Sequence, residues 1–121
     1  MHKIAIVEDD HAILEMYKLK FEFANYSVVT AVNGKLGLEI IKDEKPDIIL
    51  LDLMMPEMTG DEMLAELRKQ VWGAHIPVVI LTNVSLDEAP KNLKKLGVAG
   101  YIVKANTTPQ LVLEQVQAIL A

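Results

Sequence analysis

There is no cysteine among the 121 residues. Disulfides, thiolate metal sites and cysteine nucleophiles are excluded, and a reducing cytosol is the compartment this fits. No apolar run is long enough to cross a bilayer. Met1-His2-Lys3 leads straight into a short strand pattern rather than a signal peptide, so a cytoplasmic chain without a membrane anchor is expected. Positive charge is in deficit: 12 Lys and Arg stand against 17 Asp and Glu, a formal net charge of -5 with pI near 5.1. Such a chain is a poor direct binder of nucleic acid, and any DNA contact is expected from a separate module. Internal repeats, low-complexity tracts and a Walker-type phosphate loop are also missing.

What is present is apolar and periodic. Hydrophobic residues make up 51% and charged residues 24%, the balance of a globular chain with a sizeable core, expected to form one domain over residues 1–121. The organising stretch is Ile48-Ile49-Leu50-Leu51-Asp52-Leu53-Met54-Met55-Pro56, with Pro46 before it. A short continuous apolar run between breakers reads as a strand buried on both faces, as in a parallel sheet. Asp52 then stands at the carboxyl end of that strand, where ligands bind in open α/β sheets. A carboxylate there is costly to bury unless something pairs with it.

The same design opens the chain, where Lys3-Ile4-Ala5-Ile6-Val7 ends in Glu8-Asp9-Asp10. From His11, apolar residues at 13, 14, 17, 21 and 24 fall at helical spacing, with Asp10 as N-cap. Ser27 to Val32 is β-branched and reads as a strand that Asn33-Gly34 breaks. Leu36, Leu38, Ile40 and Ile41 give a helix up to Lys45-Pro46. Thr59 with Glu62 is a capping-box signature for a helix whose buried stripe is Met63, Leu64, Leu67 and Val71. Val78 to Thr82 is another buried strand, ending in a hydroxyl. Ser85 and Glu88 suggest a second box, but Pro90 falls inside the helix it would start, so the regular part is placed near Lys91 to Leu96, with Gly97 as C′. Gly100 to Lys104 is a last short strand. Thr108-Pro109 is an N-cap and N1 pair for a helix to the chain end. Five strand-helix units mean a parallel sheet with helices on both faces, expected as a flavodoxin-like (βα)5 doubly wound sheet in the order 2-1-3-4-5.

That order lines up four strand tips carrying Glu8, Asp9 and Asp10, then Asp52, Thr82 and Lys104. Converging carboxylates are tolerable only with a cation among them or with some acids protonated. Oxygen ligands without His or Cys suit Mg²⁺. Carboxylate, Mg²⁺, lysine and hydroxyl are the parts of a phosphoryl-transfer site in which Asp52 is the nucleophile, Lys104 neutralises charge and Thr82 holds an oxygen.

Over essentially its whole length the sequence resembles a response-regulator receiver domain of two-component signalling. The matching pieces are Val7-Glu8-Asp9-Asp10, Pro46 to Pro56 around Asp52, Gly60, Pro77 to Thr82, and Gly100-Tyr101-Ile102-Val103-Lys104. The resemblance implies that Asp52 accepts phosphate from the phosphohistidine of a histidine kinase or phosphotransfer protein. It implies Mg²⁺ held by Asp9, Asp52 and the backbone carbonyl of Met54, with Glu8 acting through water. Thr82 would be the switch hydroxyl and Tyr101 the switch aromatic. The fourth helix, fifth strand and fifth helix would present the altered face to an output partner, and phosphorylation-dependent homodimerisation is left open. The chain would then be no enzyme beyond its own Mg²⁺-dependent phosphorylation and dephosphorylation.

Two positions depart from the family pattern. Asn83 stands where a small residue is common, which makes it a wall of the phosphoryl pocket. Ala105 stands where a proline in a cis peptide is common, leaving the Lys104-Ala105 peptide cis or trans. Other functions fit less well. A haloacid-dehalogenase-type phosphatase needs an aspartate where Met54 stands. A flavin carrier needs a phosphate-cradling loop where three acids stand. A degenerate receiver acting as an unphosphorylated scaffold is kept open by Asn83 and Ala105 alone.

Overall fold

A computed structural model describes residues 1–121. Five parallel strands, β1 (Lys3–Val7), β2 (Ser27–Ala31), β3 (Ile48–Leu51), β4 (Val78–Thr82) and β5 (Gly100–Val103), form one sheet in the order β2-β1-β3-β4-β5. The helices between and after them are α1 (His11–Phe23), α2 (Gly34–Glu44), α3 (Gly60–Arg68), α4 (Leu93–Leu96) and α5 (Pro109–Leu120). The expected fold class and strand order are therefore both found.

Side chains alternate across each strand. Ile4, Ile6, Ile48, Leu50, Val79, Leu81 and Ile102 face α1 and α5, where they pack with Leu14, Tyr17, Phe21 and Val112. Ala5, Val7, Ile49, Leu51, Val78 and Ile80 face the other way, onto Ile41, Met63, Leu64, Leu67 and Leu93. β1, β3 and β4 are buried on both faces, which explains their unbroken apolar runs.

Most local signals act as read. The Asp10 carboxylate accepts from the N–H groups of Ala12 and Ile13, capping α1. Asn33 does the same for α2 through the Leu36 N–H, and Thr108 for α5 through the Leu111 N–H. At α3 the Glu62 carboxylate accepts from the Thr59 N–H at 3.0 Å and its hydroxyl at 2.8 Å. Gly97 ends α4 at φ 72°, a left-handed conformation that glycine adopts without a Cβ penalty.

Three boundaries differ. β2 stops at Ala31 rather than Val32. α4 is shorter than the Lys91 to Leu96 expectation: a single 3₁₀ turn, Leu86–Glu88, comes first, with no side-chain cap from Ser85. Pro90 separates the two because it cannot donate to a continuing helix. Val71 is not part of the buried stripe of α3 and lies 97% exposed. The helix stops at Arg68, whose guanidinium donates to the carbonyls of Gly73, Ile76, Leu96 and Gly97 at 2.7 to 3.0 Å. Those bonds require the chain to turn back, and Trp72, half-buried against the core, takes the covering position at the helix end.

Candidate functional site

Strand alternation decides which tips face one another. Continuing the rows Ile4-Ile6, Ile48-Leu50 and Ile102 by two residues gives Glu8, Asp52 and Lys104, all on the α1 and α5 side. Continuing Val78-Ile80 gives Thr82 on the other side, the side on which Tyr101 packs.

Glu8, Asp52 and Lys104 do meet. The Lys104 ammonium lies 2.7 Å from Glu8 Oε1 and 3.4 Å from Asp52 Oδ2. Both carboxylates are buried, at 4% and 5% exposure. Asp9 completes the group: one carboxylate oxygen from each of Glu8, Asp9 and Asp52 falls within a 4.8 Å span. Asp10 is committed to capping α1. The backbone holds the tips in place, because the Asp52 N–H donates to the Val7 carbonyl and the Glu8 N–H to the Ala31 carbonyl, each at 3.0 Å.

The loop after Asp52 is also fixed. The Met54 N–H donates to Asp52 Oδ1 at 3.4 Å while its side chain stands 64% exposed at the mouth of the site. The Gly60 N–H donates to the Leu53 carbonyl at 2.9 Å. A Cβ on Gly60 would collide with the Asp52 carbonyl oxygen and lie 2.8 Å from the Leu53 Cα, so only glycine lets α3 start this close to the end of β3. Glu57 holds φ 66°, an uncommon conformation for a side-chain-bearing residue, in the middle of this loop.

The electrostatics follow from three acids and one ammonium. Burial, then the neighbouring Asp52 carboxylate, push the Glu8 carboxyl up to about 8, while Lys104 pulls the other way. Burial by itself would lower the Lys104 pKa, but contact with Glu8 and Asp52 outweighs it and the ammonium is held more tightly than usual. A carboxyl forced to keep its proton near neutrality marks a site short of positive charge. The donor set is all oxygen, and a divalent cation fits it.

Thr82 is fully buried at the tip of β4 and makes no hydrogen bond to Asp52 or Lys104. Its hydroxyl accepts from the Val84 N–H at 3.4 Å, and the Tyr101 hydroxyl donates to the Val84 carbonyl at 2.7 Å. The backbone of one residue, Val84, thus links the two side chains, its N–H to Thr82 and its carbonyl to Tyr101. Asn83 is exposed, just past Thr82. Lys104 opens a 3₁₀ turn, Lys104–Asn106, and its peptide bond to Ala105 is trans. Sequence reasoning missed Arg68 and the bridging part of Val84. Arg68 had a legible signal, since no acid stands three or four residues away on its own helix. Val84 had none, because its contribution is made by backbone atoms.

Residues 4–116 match the family model of the response regulator receiver domain. The chain belongs to this family. Among curated relatives, the receiver is 35% identical over 119 residues to the alkaline phosphatase synthesis transcriptional regulatory protein PhoP of Bacillus subtilis, covering 98% of this chain and 48% of that protein. It is 27% identical over 109 residues to the polar-differentiation response regulator DivK of Brucella anthropi, covering 90% of this chain and 89% of DivK. Its backbone superimposes on chemotaxis protein CheY4 of Vibrio cholerae with a TM-score of 0.90 at 30% identity, over 98% of each chain. This receiver spans about half the length of several curated relatives it matches, 44% and 48% of the first two. Receiver domains are signalling switches of two-component systems, and the acidic cluster of this one can take a divalent cation.

Proposed function

We propose that residues 1–121 act as one phosphoacceptor switch in which Asp52 takes a phosphoryl group from the phosphohistidine of a histidine kinase or phosphotransfer protein. An Asp52 carboxylate oxygen attacks phosphorus, the donor's P–N bond breaks, and the imidazole nitrogen leaves with the bonding pair and picks up a proton. The observation that carries this reading is a buried carboxylate at a β-strand tip, 3.4 Å from an ammonium and beside two further acids.

Lys104 is suited to exchange its contact with Asp52 for one with a phosphoryl oxygen, offsetting charge that builds on the equatorial oxygens. Asp9, Asp52 and the Met54 carbonyl would hold Mg²⁺, with Glu8 reaching it through water. The bound ion would supply further charge neutralisation on the same oxygens. Thr82 would donate its hydroxyl to the phosphoryl group, giving up the Val84 N–H. Because the Tyr101 hydroxyl holds the carbonyl of the same residue, that exchange would reach the aromatic ring and the face formed by α4, β5 and α5, where an output partner would read it. Asn83 would border the pocket from the solvent side. The chain turns over no substrate other than its own phosphoryl group, and the site of action is the cytoplasm.

Incubation with Mg²⁺ and acetyl phosphate, read by intact mass, tests this. One added phosphoryl group is expected, and none in Asp52→Asn. No adduct at any Mg²⁺ concentration would leave the unphosphorylated scaffold as the better reading.

A further inference from the structure

The core-facing side of α1 is Leu14, Tyr17 and Phe21. The opposite side is also apolar. Ala12, Met16, Leu19 and Phe23 follow one another at spacings of four, three and four, the a/d rhythm of a coiled-coil seam. All four are exposed, with Met16 at 43%, Leu19 at 53% and Phe23 at 88%. A surface helix normally carries polar residues there. In this register Glu15 and Glu22 take the g positions and Lys20 an e position. None of the three belongs to an ion pair within the chain.

We infer that this stripe is a seam for a second copy of the same chain, with the two α1 helices packed in parallel. The charges choose the occupant and its direction. In a parallel pair a g residue faces the e residue five positions on in the partner helix, which sets Glu15 of each copy against Lys20 of the other. In an antiparallel pair g faces g and e faces e, so Glu15 and Glu22 of one copy would meet Glu22 and Glu15 of the other and Lys20 would have no acid. A 13-residue helix offers only about two heptads. The buried area falls well below the roughly 1,200 Å² of a standard interface, so the association is weak and concentration-dependent. It uses no part of the phosphoryl site and needs no phosphodonor, so it stands or falls separately from the reading of Asp52.

Sedimentation equilibrium without phosphodonor, carried to about 1 mM chain, reads the mass directly. The weight-average mass is expected to climb from 13.5 kDa toward twice that value, and to stay at 13.5 kDa in Leu19→Glu, with far-UV circular dichroism confirming its fold. Glu15→Lys or Lys20→Glu alone should abolish the rise, and the two together should restore it. The absence of native cysteine gives a second readout. Met16→Cys and Leu19→Cys should each form homodisulfides at least roughly tenfold faster than a control, Asp43→Cys on exposed α2. A chain that stays monomeric throughout overturns the proposal, including a monomer whose stripe binds only another protein's helix. So does a dimer indifferent to Leu19→Glu, or a Met16→Cys and Leu19→Cys mixture that crosslinks only to each other, the antiparallel outcome.

Discussion

The two sides of the sheet end in different ways at their carboxyl edge. On the α1 and α5 side, the ionisable groups of Glu8, Asp52 and Lys104 are in contact, the two carboxyls buried and the ammonium half-buried, with the Glu8 and Asp52 tips fixed by backbone hydrogen bonds. On the other side, Thr82 and Tyr101 are uncharged and are linked through the backbone of a single residue, Val84, beside a four-residue α4 that follows a lone 3₁₀ turn. A phosphoryl acceptor needs groups set in place before the reaction, because reorganising charge costs rate. A switch needs a segment that two arrangements can share at small energy difference. In the proposed reading the same sheet would supply both, because alternate residues along each strand point to opposite faces.

The comparison breaks most sharply at Lys104. In Lys104→Met the initial rate of phosphoryl uptake from acetyl phosphate is expected to drop about 100-fold, the scale for removing one fixed electrostatic partner. A rate within a factor of two would show that the ammonium is not part of the acceptor side. The next largest effect falls on the switch side. Beside the apolar packing of Leu93 on Leu64 and Leu67, Arg68 fastens the end of α4 to α3 and the loop before β4 through four carbonyls. Arg68→Met is expected to lower unfolding stability by about 2–3 kcal/mol in urea titrations, since partly buried carbonyls lose a charged donor. Uptake at Asp52 should stay near normal in that variant, and an equal loss of both would deny the division.

A third test uses pH. The Glu8 carboxyl sits at about 8 against an ordinary 4.5, so the folded chain binds this proton more tightly than the unfolded chain. Its contribution to stability is complete below about pH 4.5 and is lost as pH rises through about 8. With EDTA present, Tm of the parent relative to Glu8→Gln should fall steadily between pH 5 and pH 8.5, and a pH-independent difference would contradict the crowding of the three acids. The smallest effect belongs to Tyr101→Phe, which removes the bond to the Val84 carbonyl. A loss of about 1 kcal/mol or less is expected in urea titrations, with uptake unchanged.

Much of this division was legible in the sequence. Short unbroken apolar or β-branched runs and breakers located the strands, and the polar residue ending each apolar run located Glu8, Asp52, Thr82 and Lys104. What local pattern could not give were features set by distant backbone. Val71 keeps helical spacing with Leu64 and Leu67, yet α3 ends before it because Arg68 is held by carbonyls 28 and 29 residues downstream. The closeness of Gly60 to the Asp52 carbonyl is likewise a matter of how α3 packs. Nor does spacing reveal that Thr82 and Tyr101 both bond the backbone of Val84.

The central claim is that the acid at the tip of β3 forms an acyl phosphate. Borohydride reduces such an anhydride and leaves homoserine in place of aspartate. After phosphorylation with Mg²⁺ and acetyl phosphate, reduction and peptide mapping, the account predicts homoserine at position 52 alone. Homoserine at position 9, or an unreduced phosphoester on Thr82, would contradict it.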